Sequence, residues 1–115
     1  MIFQIMLVAI GGGIGSILRF FISHKLHKHF IGTWIANITG SLFLAFLLKF
    51  YLMEIVSDNL WLLLGVGFCG AYTTFSTFGS ETIQLILEKK IQTAIYYVSS
   101  TFIVSILLVS LVLIW

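Results

Sequence analysis

Four long apolar stretches, separated by short polar loops, occupy nearly all of the chain. A membrane-crossing helix needs about 20 predominantly apolar residues. Four such helices use roughly 80 residues, and the chain has 115. A second domain does not fit. Only 9% of residues are charged, 60% are hydrophobic and proline is absent. Soluble domains carry about 25% charge, so a soluble enzyme and a disordered tail are both excluded. A formal charge of +2 on so apolar a chain points to no nucleic acid. The single Cys69 excludes an internal disulfide and a cysteine-based zinc site. The first stretch lacks a small-residue cleavage site followed by a polar mature region, and three further apolar stretches follow it, so it reads as a span and not a signal peptide.

The expected spans cover about 2–22, 30–52, 60–87 and 94–115, forming one transmembrane domain. Short loops make successive helices antiparallel. Gly11 and Gly15 are spaced as GxxxG, and Gly32, Ala36 and Gly40 continue a small-residue stripe in span two. Small residues let helix backbones approach closely in lipid, so these positions are read as packing sites. Thr33, Asn37 and Ser41 share a neighbouring face, and Tyr97, Thr101 and Ser105 repeat the device in span four. Polar stripes in a bilayer must face protein or water. One such hydroxyl is ordinary interhelical bonding; two stripes in so small a chain favour a polar path.

The centre of span three, residues 65–81, concentrates glycines, threonines and hydroxyls. Such a sequence suits a broken helix that frees backbone groups at membrane depth. Gly65, Gly67 and Gly70 also match GxGxxG, but that fingerprint requires a strand before and a helix after within a βαβ unit, which an apolar span cannot supply. His24, His27 and His29 sit in a basic loop without carboxylate or thiol partners, and are read as a solvated or headgroup-facing surface. Arg19 near the end of span one suits both snorkelling and attraction of anions; Lys49 near the end of span two reads as a snorkelling anchor. Glu81 is an ionisable group in or at the edge of span three, which makes it a functional candidate.

Spans one, two and four contain no acidic residue. A proton-coupled multidrug or cation exporter, the main alternative among four-helix proteins of this size, wants a carboxylate deep in the bundle. An accessory subunit would not need inward polar stripes. An intramembrane enzyme would need a His/Asp pair or metal-ligand spacing within the spans. The inventory of amide and hydroxyl donors, with phenylalanine ring edges, favours passage of an anion through weak repeated sites. The residues alone leave the ion's identity open.

Three segments resemble the fluoride channel family (Fluc, also called CrcB): Gly12-Gly13-Ile14-Gly15-Ser16-Ile17-Leu18-Arg19-Phe20, Gly32-Thr33-Trp34-Ile35-Ala36-Asn37-Ile38-Thr39-Gly40-Ser41, and Gly67-Phe68-Cys69-Gly70-Ala71-Tyr72-Thr73-Thr74-Phe75-Ser76-Thr77-Phe78. The last is the most specific. The resemblance implies an all-α integral membrane protein with a broken third helix, working as an inverted dimer and exporting fluoride passively from the cytoplasm across the cell (inner or plasma) membrane. It implies a structural sodium ion at the dimer centre, bound by the carbonyls of Gly70 and Thr73. It assigns Asn37, Phe75, Phe78, Ser76 and Thr77 to the pore, Tyr97 and Ser105 to a fourth-span polar track, and Arg19 and Glu81 to vestibules. Ala71 and Tyr72 depart from the family pattern beside the sodium position.

Charge bias adds one expectation. Lys25, Lys28, Lys89 and Lys90, with Arg19 nearby, fall on one side of the membrane, and Lys49 on the other. Positive residues favour the cytoplasm, so the chain is expected to insert mainly one way, termini outside. It would then pair with an oppositely oriented homologue; without a bias it would form the homodimer.

Overall fold

The computed structural model describes residues 1–25 and 29–115; Leu26, His27 and Lys28 lie outside the described residues, as does the side chain of His29. The loop histidine reading and the Lys28 part of the charge bias therefore fall largely outside what is described. The chain is all-helical among the described residues. Its elements are α1 (Ile2–Lys25), α2 (His29–Leu52), α3 (Asp58–Leu60), a π-helical segment (Trp61–Cys69), α4 (Gly70–Tyr72), α5 (Ser76–Leu87) and α6 (Ile91–Ile114). Four helical stretches are long and apolar enough to cross a membrane: Ile2–Lys25, Phe30–Leu52, Asp58–Leu87 and Ile91–Ile114. These stretches give the chain the architecture of a multi-pass membrane protein. α1 runs three residues past the Ile22 boundary expected from sequence, carrying Ser23, His24 and Lys25 in its last turn. Cations are favoured there by the helix dipole, and His24 stacks on Phe20 with ring centroids 5.5 Å apart.

Glycines set the closest helix contacts. A Cβ at Gly11 would strike the Leu63 carbonyl, one at Gly15 the Phe68 carbonyl, and one at Gly67 would lie 2.7 Å from the Val8 carbonyl. α1 therefore lies backbone-to-backbone on the π segment and α4, as small residues permit in lipid. In α2, Ala36 is fully buried, a Cβ at Gly32 would come within 2.8 Å of Ser23 Cα, and one at Gly40 would overlap Thr73 and the Tyr72 ring.

The remaining contacts lock α5 and α6 to α2. Phe78, Leu85, Ala94 and Tyr97 form a buried cluster, flanked by Phe30, Trp34 and Val98. Trp34 Nε1 donates to Ser100 Oγ at 2.9 Å. The turn after α2 is tied by Tyr51, whose hydroxyl donates to Asp58 Oδ1 at 2.8 Å and whose ring stacks on Trp61. Ser57 caps α3 by accepting the Leu60 N–H.

Candidate functional site

The third span changes course at residues 73–75. Thr73 is extended, at φ −85° and ψ 156°, and α5 begins at Ser76. The cause lies in two diverted donors. In an α-helix the Thr74 N–H would bond the Gly70 carbonyl, and the Thr77 N–H the Thr73 carbonyl. Instead the Thr74 N–H goes to Asn37 Oδ1 at 2.7 Å, and the Thr77 N–H to Thr74 Oγ1 at 3.2 Å. The second bond is the kind an N-cap side chain makes. Gly70 and Thr73 thus keep carbonyls without their helical donors. A Cβ at Gly70 would meet nothing within 4 Å, so this position faces away from the chain's own body.

Asn37 holds the bend from α2. Its Nδ2 also donates to the Thr74 carbonyl at 2.8 Å, so one amide pairs with both backbone groups of one residue. One N–H of Nδ2 remains for another acceptor. The two side chains that depart from the expected pattern point elsewhere. Tyr72 is buried, with its ring stacked on Phe68 and its hydroxyl 2.9 Å from Thr39 Oγ1. Ala71 sits against Gly12 of α1. Neither occupies the Gly70 face.

Beside the bend an open groove of about 290 Å³ runs between α2 and α6. Asn37, Ser41, Thr73, Thr74, Thr101 and Ser105 supply its polar lining; Phe75, Phe78, Phe102, Leu44 and Ile106 supply the rest. Among the described residues no charged side chain lines it. The hydroxyls differ in what they offer. Thr73 and Thr101 direct their protons to the carbonyls of Cys69 and Tyr97. Thr74 accepts from Thr77 and so keeps its proton to donate. Such a wall of neutral donors can replace part of the hydration shell of a small anion without trapping it.

The two phenylalanines have opposite environments. Phe78 is buried, 5.0 Å from the Tyr97 ring and in edge contact with Phe102. Phe75 is 78% exposed, its ring 6.2 Å from that of Phe78. Both border the groove.

The groove therefore gathers Asn37, Phe75, Phe78 and Ser105 from the residues singled out by sequence, with Thr73. It does not gather the others. Ser76 and Thr77 are exposed on the first turn of α5. Tyr97 does not line it: its ring packs against Phe78 and its hydroxyl donates to Glu81 Oε1 at 3.1 Å. Arg19 is half-buried on α1, which does not border the groove. Thr74 was missed as a backbone partner, although a threonine three residues before Thr77 is itself a capping signal.

Comparison with known proteins adds the following. The family described as CrcB-like protein, Camphor Resistance (CrcB), matches residues 6–113. A fluoride-specific ion channel FluC 2 of Bacillus thuringiensis subsp. konkukian is 46% identical over 109 residues, covering 90% of this chain and 89% of that protein. A fluoride-specific ion channel FluC of Thermosipho melanesiensis is 37% identical over 106 residues, covering 86% and 85%. One from Proteus mirabilis is 43% identical over 89 residues, covering 73% and 72%.

Proposed function

Because the chain belongs to the CrcB-like family, we propose that it is a fluoride channel that lets fluoride leave the cytoplasm passively through the α2–α6 groove. The observation that carries this reading is the groove itself, lined by an amide, hydroxyls and phenylalanine rings and, among the described residues, by no charged side chain. Fluoride is small and strongly hydrated, so its water must be replaced by donors. A full positive charge at close range would hold it; neutral donors in series let it move on. In this account the free N–H of Asn37 and the hydroxyls of Thr74, Ser41 and Ser105 serve as successive donors. Phe75 and Phe78 present ring edges, which carry positive potential. Glu81, engaged by Tyr97 and away from the groove, is poorly placed for proton-coupled cation export.

The channel works as a dimer of oppositely oriented subunits, either two copies of this chain or this chain with a homologue. Phe75 projects from the subunit and the Gly70 face is open, as expected of groups completed by a second subunit. The bend at residues 73–75 is the functional break of the third helix. A structural sodium ion suits the donor set there: the carbonyls of Gly70 and Thr73 are among those at the break without helical donors, and hard cations take carbonyl oxygens. When bound, that ion supplies fixed positive charge joining the subunits. Arg19 and Glu81 border the vestibules outside the groove, and Ser76 and Thr77, exposed beside Phe75, meet the ion only where the second subunit completes the path.

Expression in a bacterial strain lacking its own fluoride exporter tests this function. Restored growth in millimolar fluoride at acidic pH is the expected result. Unchanged sensitivity, with the protein present in the membrane together with an oppositely oriented homologue, would overturn it.

A further inference from the structure

We propose that Lys49 is an electrostatic positioning residue at one mouth of the groove, where it offsets the negative ends of two parallel helices. The inference rests on the channel reading above. α2 and α6 run side by side in the same direction: Trp34 bonds Ser100 and Lys49 bonds Val112, with sequence offsets of 66 and 63. Their C-terminal ends therefore lie together. Each helix end carries roughly half a negative charge. Glu54, in the turn just beyond α2, and Asp58, at the start of α3, add two carboxylates on the same side. An anion passing Ser41 and Ser105 must cross this end.

Lys49 lies eight residues beyond Ser41, roughly 12 Å along the helix at 1.5 Å per residue. Its ammonium does not extend freely towards water, as a snorkelling lysine does. Nζ donates to the Val112 carbonyl at 3.1 Å and lies 4.6 Å from the centre of the Trp115 ring. Val112 belongs to the last turn of α6, whose carbonyls lack intrahelical donors. The contact caps α6 from α2 and fixes a positive charge at the groove mouth. Among the described residues the other lysines and the arginine, Arg19, Lys25, Lys89 and Lys90, lie at the opposite helix ends. The distance from Ser41 is close to the Debye length of about 10 Å at 0.1 M salt. Lys49 is thus far enough not to trap the ion and near enough to raise its local concentration.

The test is initial fluoride efflux from liposomes in sodium buffer, for the wild-type chain, Lys49→Gln and Lys49→Arg, at low ionic strength and with added impermeant salt. Lys49→Gln should lower the rate on the order of threefold at low salt, with the difference shrinking as salt screens the charge. Lys49→Arg should keep the wild-type rate at both. Lys49→Gln matching wild type throughout, or reduced equally at both ionic strengths, would overturn the inference while the channel reading stands. Absence of efflux from the wild type, both alone and with an oppositely oriented homologue added, would overturn the channel reading and this inference with it.

Discussion

Asn37 and Thr74, 37 positions apart, are joined by two hydrogen bonds that together use both ends of one side-chain amide and both polar groups of one peptide residue. The pairing takes the Thr74 N–H away from the Gly70 carbonyl, so one side chain on α2 decides where the third span bends. Leaving a buried donor or acceptor unpaired costs about 1–3 kcal/mol each. Asn37→Ala should therefore lower stability by roughly 2 kcal/mol, given that the site is half-buried, and abolish fluoride flux. Asn37→Asp keeps an acceptor for the Thr74 N–H but loses the donor and adds negative charge. It should retain more stability than the alanine variant and still block an anion. Thermal unfolding in detergent and liposome efflux check both.

The two phenylalanines should separate function from folding. Phe75 is largely exposed on the subunit, so Phe75→Ile should leave unfolding unchanged and strongly reduce fluoride flux. Phe78 is buried against Tyr97 and Phe102, so Phe78→Ala should cost about 3–5 kcal/mol and lose flux through loss of the fold. Paired melting and flux measurements distinguish the cases. Unchanged flux in Phe75→Ile would remove its place in the pore.

The glycines of α1 give a contrast within five residues. A methyl group at Gly11 or Gly15 would strike a backbone carbonyl, whereas one at Gly13 would meet nothing within 4 Å. Gly11→Ala and Gly15→Ala should each destabilise by about 1–3 kcal/mol, the usual range for overpacking. Gly13→Ala should be close to neutral. Unfolding of the three variants in detergent measures this directly.

Part of this arrangement was legible in the sequence, and the division has physical reasons. The spans follow from run length and hydropathy. The packing role of Gly11, Gly15, Gly32 and Gly40 follows from small-residue spacing, and each now has a named neighbour. The α2 stripe of Asn37 and Ser41 meets Thr101 and Ser105 of α6 in one groove. Less legible were contacts that depend on how helices rotate against each other. Tyr97 shares a helical face with Thr101 and Ser105 by spacing, yet its ring is buried against Phe78 and its hydroxyl reaches Glu81 on α5. Tyr72 departs from the family pattern beside the expected sodium position, but Gly40 leaves room for its ring on α2. Lys49 read as an anchor because spacing cannot show that its side chain reaches the last turn of α6.

If the carbonyls of Gly70 and Thr73, which lack helical donors, hold the proposed ion, flux should depend on sodium. Replacing all sodium with a large organic cation should silence fluoride flux, and returning sodium should restore it. Potassium, being larger, should substitute poorly in the proposed site of four carbonyls from two subunits. Full activity in sodium-free buffer would reject the ion site while leaving the α2–α6 path intact.

The central claim is tested most directly by fluoride efflux from potassium-fluoride-loaded liposomes containing the purified chain, in sodium buffer, started with valinomycin and read by a fluoride electrode, with chloride as the control ion. The account predicts rapid release of fluoride and none of chloride, from this chain alone or once an oppositely oriented homologue is added. No fluoride release in either case, or equal release of chloride, would contradict it.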